Sequence, residues 1–415
     1  MQSKFRLLVV RLGAMGDILH ALPAVTALRQ AHPTWIIDWV VEPRWRALLA
    51  ADPSSANSPS ESASQPESGK GSVSGHDFSR AAEAPVATRA LAPAPAPSPF
   101  SSENAPIPAT LTTPLLQPGR SLAQPVVDNL HLAPTRAWRD APFTRKTLHE
   151  INFLRRSLKS ADYETVLDLQ GAIRSAVVGR MTGCLRLIGE AHPRESAAAW
   201  LFTERVQTSG AHVIEQDIEL AAAVAGDDLQ PVAPLLPVDP SAESWTDQIL
   251  PLHASLSAAL INPGAGWGAK RWPVESYAAV ARGLLERGLR VLVNAGPGEE
   301  PLADAIAGAT GGKAEPIAPT LAQLIALTRR VALCIAGDTG PLHLACALGR
   351  PVVGIYGPTD PSRNGPYGTK FRVLRSPDSR RDHTRHAEPE AGLMTIQPEE
   401  VLQAADELLA PEASV

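Results

Sequence analysis

Cysteine is scarce in this chain: three residues, Cys184, Cys334 and Cys346, in 415. None forms a CxxC pair, and two lie inside apolar segments. That excludes a thiolate metal site and a disulfide framework, and it predicts reduced, buried thiols. Long apolar runs are absent too. None reaches the ~18–20 residues that a membrane helix needs. Leu7 to Val10, ahead of Arg11, is too short for the core of a signal peptide. The expectation is a cytoplasmic protein, which still permits docking on a membrane surface. There is no excess of basic residues: 38 Lys and Arg stand against 43 Asp and Glu, a net charge of −5. A general nucleic-acid binder is excluded on that balance. The sequence has no solenoid repeat. Its first glycine loop is not GxGxxG, so a dinucleotide fingerprint fits poorly. Its glycine loops hold no DxD motif, and no metal is expected.

What is present is the pattern of an α/β protein long enough for two domains with full cores. Residues 5–11 read as a buried strand, Gly13 to Asp17 as a turn, Ile18 to Gln30 as a helix and Trp35 to Val41 as a second strand. Strand, glycine loop, helix, strand opens a doubly wound sheet. Between 52 and 124 the chain turns to Ser, Pro, Ala and Gly, and holds much of the total of 39 prolines. Too few apolar residues are there to offset ordering entropy, so this reads as a disordered insertion in the first domain. The α/β pattern then resumes. Val126 to Leu132 read as a short strand, Thr147 to Ser160 as a helix, Thr165 to Leu169 as a strand and Gly171 to Met181 as a helix. Leu185 to Gly189 read as a strand and Val213 to Val224 as a helix. Pro231 to Pro240 read as an interdomain linker. A second unit runs through strands at 258–262, 290–294, 331–336 and 351–356, with helices at 274–287 and 321–328. The division is 1–235, 250–395 and a C-terminal segment 396–415, whose helix Pro398 to Leu409 is expected to pack back on the first domain.

Four segments carry chemistry. In GDTGPLH, Gly337 to His343, an apolar strand ends in glycine, acid, hydroxyl and glycine as a helix opens. Free N–H groups and the helix dipole bind anions there. Gly337 and Gly340 let a phosphate approach the backbone, while Thr339 and His343 add donors. Asp338 reads as a helix cap or an acceptor from a sugar hydroxyl, and His343 alone could equally be a core histidine. In RLGAMGDILH, Arg11 to His20, Asp17 sits at a strand-to-helix turn, as general base or as helix cap. In PGAGWGAKRWP, Pro263 to Pro273, Lys270 follows a glycine loop and could neutralise a diphosphate or face solvent. The fourth segment is basic: Arg136, Arg139, Arg145, Lys146, Arg155, Arg156 and Lys159, with Arg174 further on. Arg155 to Lys159 read as a solvated helix face. Arg136 and Arg139, placed in a loop, suit an anionic substrate.

Taken together these residues resemble the heptosyltransferases of glycosyltransferase family nine. The family's S/GxMGDxLHxLPA loop reads GAMGDILHALPA, Gly13 to Ala24. Its K-x-WP element reads Lys270 to Pro273. Its DTGxxHLAAALxxP segment reads Asp338 to Pro351, and its YGPTDP reads Tyr356 to Pro361. A subset of the family is matched further by DWVVE (Asp38 to Glu42), R-x-WR (Arg136 to Arg139) and DxQG (Asp168 to Gly171). The resemblance implies a GT-B fold, two Rossmann-like domains facing a central cleft. It implies transfer of L-glycero-D-manno-heptose from ADP-heptose to the first Kdo of Kdo-lipid A, with inversion and with transient contact at the cytoplasmic face of the inner membrane. It assigns Asp17 as the base and Lys270 as the partner of the leaving diphosphate. Asp338, Thr339, Gly340, His343, Gly266 and Glu300 fall on the donor side, Glu300 near the ribose. Met15, Gly16, Arg136, Arg139 and Arg174 fall on the acceptor side. The family's hydroxyl pair before the lysine is Ala265 and Gly266 here, so two diphosphate contacts come from backbone N–H groups or are missing. Other readings remain at this stage: a family-nine transferase with a different acceptor, a sugar-nucleotide epimerase or hydrolase on the same scaffold, or an NAD-binding regulator.

Overall fold

Two six-stranded parallel sheets make up the structure, a computed structural model that describes residues 4–51, 126–251, 256–380 and 387–410. The first holds β1 (Arg6–Val10), β2 (Ile36–Val41), β3 (Asn129–Leu132), β4 (Thr165–Asp168), β5 (Leu187–Glu190) and β6 (Glu204–Val206), in the order β3-β2-β1-β4-β5-β6. The second holds β7 (Ala258–Asn262), β8 (Arg290–Asn294), β9 (Glu315–Ile317), β10 (Leu333–Gly337), β11 (Val352–Tyr356) and β12 (Phe371–Arg375), in the order β12-β11-β10-β7-β8-β9. Counted from its own first strand, each sheet has the doubly wound order, and each reverses direction between its first and fourth strands. Ligands of such sheets bind beyond the carboxyl ends of the strands at that reversal. The loops after β1, β4, β7 and β10 leave from there.

Apolar strands buried on both faces are what parallel pairing requires; Leu7 to Val10 and Leu333 to Ala336 are fully buried. The helices of the first domain are α1 (Met15–Ala31), α2 (Thr135–Asp140), α3 (Arg145–Ser160), α4 (Ile173–Met181) and α5 (Val213–Ala225). The rest are α6 (Pro240–Ile249), α7 (Val274–Glu286), α8 (Glu300–Ala309), α9 (Leu321–Thr328), α10 (Gly340–Ala347), α11 (Pro361–Asn364) and α12 (Pro398–Leu409). Helix α1 is apolar almost all round and buried from Ile18 to Arg29. Such a helix must be covered on every side, and α1 packs between its own sheet, α5 and α10 of the second domain. One apolar cluster therefore runs through both domains, from Leu19 and Leu22 to Leu324 and Leu344.

The structure departs from the sequence reading at several places. Helix α1 begins at Met15, not Ile18, because Asp17 Oδ2 accepts from the Ala14 N–H at 2.9 Å and stabilises an earlier start. Strands β6, β9 and β12 were not legible; all three are edge strands, β6 and β9 only three residues long and β12 interrupted by Arg372. Helices α2, α6 and α8 were not legible either. The linker ends in α6, where Asp239 caps the Ser241 and Ala242 N–H groups at 3.0 and 3.1 Å. Glu243 of α6 then holds Arg329 at 3.0 Å and Arg330 at 2.8 Å, so α6 belongs with α9 of the second domain. The expectation that the last helix returns to the first domain is overturned. Val401, Ala404, Ala405 and Leu408 of α12 enter the core of the second sheet. Asp406 pairs with Arg287 at 2.7 Å and Glu407 with Arg372 at 2.7 Å. The Ser/Pro/Ala-rich insertion 52–124 lies outside the described residues.

Candidate functional site

Helices α1 and α10 present their N-termini to each other across the domain junction. Glycine makes the approach possible. A Cβ on Gly16 would lie 2.8 Å from His343 Cδ2, and one on Gly340 would lie 2.6 Å from Met15 Sδ. Beside this contact opens a cleft pocket of about 250 Å³. Its first-domain wall is Ala14, Met15, Gly16 and Trp45. Its second-domain wall comes from the β7 loop (Gly264, Ala265, Gly266), from Glu299, and from Thr339 and Gly340 at the start of α10. Asn262 and Asn294 close the floor at the ends of β7 and β8.

The second-domain charges are organised around Asp338, just past β10. Lys270 Nζ donates to Asp338 Oδ2 at 2.5 Å and to its carbonyl at 3.3 Å. His343 Nε2 lies 3.3 Å from Asp338 Oδ1. Burial opposes ionisation of Asp338, but the His343 hydrogen bond and the Lys270 charge outweigh it and hold the carboxyl well below its usual range. Asp338 is therefore neither a cap nor free; it is the anchor of the lysine. His343 is buried, and both ring nitrogens meet protein groups, Asp338 and His20 Nε2, the latter at 3.1 Å. It lies behind the pocket wall instead of pointing at a ligand as a free donor. Thr339 Oγ1 donates to the Gly337 carbonyl at 3.2 Å. Because Pro341 has no N–H, the anion-binding donors at the α10 start are fewer than the sequence pattern promised.

On the first-domain side Asp17 is about one-third exposed, with Arg11 Nη2 at 3.6 Å from Oδ1. It is the third residue of α1, not its N-cap, and it follows Gly16 of the pocket wall without lining the pocket itself. Behind it Arg11 is buried among Asp168 and Asp217. Burial pushes Asp217 up to about 7 and Asp168 up to about 6, Arg11 pulling both back.

Of the two adjacent glutamates, Glu299 faces the pocket. Its Oε2 accepts from the Gly296 N–H at 3.1 Å, and a Cβ on Gly264 would strike its carboxylate. Glu300, the residue expected near the ribose, opens α8 and is exposed. The basic residues divide as well. Arg136 and Arg174 share the electrostatic field of Arg44, whose pKa is lowered by burial and by those two neighbours. Arg139 turns to Asp140 at 3.1 Å and is largely exposed. Arg136 and Arg139 stand on α2 and not in a loop.

Arg44, Trp45, Asn262, Asn294, Glu299 and His20 escaped the sequence reading as site residues. The asparagines carried a signal: each is the polar last residue of an apolar strand. Asn294 Nδ2 donates to Asn262 Oδ1 at 2.8 Å, which fixes both at the floor. Trp45 carried none. Its buried Nε1 has no hydrogen-bond partner among the described residues. Two of the three elements that marked the subset of the family, at Asp38 to Glu42 and Asp168 to Gly171, hold struts. Asp38 accepts from Tyr163 at 2.7 Å and from Asn129. Asp168 Oδ1 accepts from the Gln170 and Gly171 N–H groups, and Gln170 clamps the Leu12 N–H at 2.8 Å.

The sequence pattern of Glycosyltransferase family 9 (heptosyltransferase) matches residues 151–394. The lipopolysaccharide heptosyltransferase 1 of Escherichia coli K12 is 26% identical over 385 residues, 90% of this chain and 94% of that protein. The lipooligosaccharide heptosyltransferase 2 of Haemophilus influenzae is 30% identical over 199 residues, 44% of this chain and only 58% of that protein. The E. coli heptosyltransferase WaaC solved with ADP shares the fold, with a TM-score of 0.68 at 23% identity, over 97% of this chain and all of that one.

Proposed function

The chain belongs to glycosyltransferase family 9 and has the two-domain GT-B fold; from that premise we propose that it transfers L-glycero-D-manno-heptose from ADP-heptose to the first Kdo of Kdo-lipid A, inverting the anomeric centre. The observation that carries this reading is the meeting of α1 and α10. It brings the turn that carries Asp17, through Met15 and Gly16, against the helix start beside which Asp338 holds Lys270. Inverting transfer needs those two groups on opposite sides of the reacting carbon. Asp17 takes the proton of the acceptor hydroxyl as its oxygen attacks the anomeric carbon. The bond to ADP breaks on the far side. Charge that develops on the diphosphate is met by Lys270, by the positive end of α10 and by the backbone of Gly264 to Gly266.

Glu299, in place of the expected Glu300, is the carboxylate for the ribose hydroxyls. Thr339 and Gly340 face the donor in the pocket. Asp338 and His343 hold Lys270 from behind. Arg44, Arg136 and Arg174 form the basic side for the acidic acceptor, and Arg139 is not part of it. No metal takes part. The lipid anchor of such an acceptor brings the protein to the cytoplasmic surface of the inner membrane as a peripheral protein. No helix among the described residues is long and apolar enough to cross a membrane. A heptosylated acceptor is the second reading, since relatives named heptosyltransferase 2 also match, over less of the chain. Coverage of 90% and 88% of the chain by relatives named heptosyltransferase 1 favours the first reading.

A mass-spectrometric assay with ADP-heptose tests this. The expected product is Kdo-lipid A heavier by one heptose, formed equally well in excess EDTA. Transfer only to an already heptosylated acceptor would move the assignment to the second reading. Total loss in EDTA with restoration by magnesium would overturn the metal-free mechanism.

A further inference from the structure

His20 lies one turn after Asp17 on α1, and its ring carries a hydrogen bond from that helix to the second domain. Its Nε2 is 3.1 Å from His343 Nδ1, a contact between residues 323 apart in sequence. The rings meet edge to face with centroids 4.4 Å apart. From His343 the chain of contacts continues to Asp338 at 3.3 Å and to Lys270 at 2.5 Å. His20 and His343 are both buried, at 6% and 7% exposure. The space beside them is about 20 Å³, room for about one water molecule. A hydrogen bond so shielded holds its geometry more firmly than one in water.

We propose that His20 is a positioning residue of the transfer: it locks the His343 ring, and through it the Asp338–Lys270 pair, in register with Asp17 when the two domains are together. The proposal rests on the heptosyl-transfer reading above. The groups facing His20 suit a neutral ring. His343 and Asp338 approach from the second domain, His212 of α5 lies edge-on at 5.6 Å, and Arg11 comes from the β1 end. Burial, then His343, His212 and Arg11, hold its pKa well below the ordinary value, against the pull of Asp338. A neutral imidazole can donate to an uncharged His343 or accept from a charged one, so the link survives either state. Because the base and the latch share one rigid helix, closing the latch fixes how far the base stands from the leaving-group side. Misplacement by about 1 Å in such a constellation costs about a hundredfold in rate.

Two variants separate positioning from mere packing. His20→Leu keeps apolar volume and removes both nitrogens. His20→Gln places an amide nitrogen near the Nε2 position. For His20→Leu, kcat is expected to fall by about tenfold or more, while affinity for ADP, held by the second domain, stays within about threefold. His20→Gln should recover most of the rate. In protein labelled with ¹⁵N-histidine, the His343 ring signals should shift in His20→Leu and stay near native in His20→Gln. A near-native kcat in His20→Leu overturns the proposal. So does an equal fall in ADP affinity and kcat, or a Gln variant as slow as the Leu variant at native Tm. If the native protein transfers no heptose, the functional reading fails. The ring signals then still decide the latch, which unchanged His343 signals in His20→Leu would refute.

Discussion

Asp17 caps the start of its own helix and is the base we propose, and a single substitution can separate the two roles. Its Oδ2 caps the Ala14 N–H, while Oδ1 lies 3.6 Å from Arg11 Nη2 and the side chain stays about one-third exposed. Asparagine keeps an oxygen for the cap and loses the basicity. Asp17→Asn is therefore expected to fold with native Tm and bind ADP normally, yet to lose about 10²–10⁴-fold in kcat. A near-native rate in that variant would leave Asp17 with the cap alone. Asp217 poses a different question, because burial raises it from 3.8 to about 7. A carboxyl raised by folding favours its protonated form in the native state. Its contribution is thus fully present below the unfolded pKa and is lost as pH rises from about 4 through 7. Asp217→Asn removes that loss. Urea unfolding should find the variant equal to native near pH 4 and more stable at pH 8, by on the order of 4 kcal/mol at most. A native stability that is flat from pH 4 to 8 would contradict the buried, strained carboxyl.

At the scale of elements, the site depends on two helix ends that nearly touch. The glycine-bounded turns at Gly13 to Asp17 and Gly337 to Gly340 are legible in sequence, because a strand that stops at glycine before a helix signals its own geometry. Which helix meets which is not encoded locally. Gly16 reads as a flexible turn residue; its consequence is the 2.8 Å that a Cβ would leave to the His343 ring. Gly16→Ala should force α1 and α10 apart. Its kcat is expected to fall at least about tenfold with ADP affinity within about threefold, as measured by calorimetry and initial rates. An unchanged kcat would mean that the junction opens without cost to the chemistry.

For the whole molecule, the first domain leaves three large aromatic side chains exposed. Phe143, Phe153 and Trp200 are 91%, 68% and 81% exposed. Arg145, Lys146, Arg155, Arg156 and Lys159 lie on exposed positions of α3, as expected of a solvated helix face. Exposed aromatics among cations suit the headgroup layer of an anionic bilayer. The protein should cosediment with phosphatidylglycerol vesicles at low salt and much less with phosphatidylcholine. Trp200→Ser combined with Phe153→Ser should weaken the anionic binding several-fold. Equal sedimentation with both vesicle types, or none with either, would sink the membrane contact.

By itself the sequence determined the alternation of strand and helix, the two doubly wound halves and the family whose motifs it carries. Each of those signals is written by residues within a turn or two of one another, where backbone sterics, capping and apolar periodicity act directly. The tertiary structure alone decided that Glu299 and not Glu300 faces the pocket, that Arg44 joins Arg136 and Arg174 while Arg139 turns away, that α12 stays with the second sheet, and that His20 reaches His343. All of these depend on how helices rotate when packed and on how two sheets dock through one shared apolar cluster. Such long-range packing brings together residues that no local pattern relates.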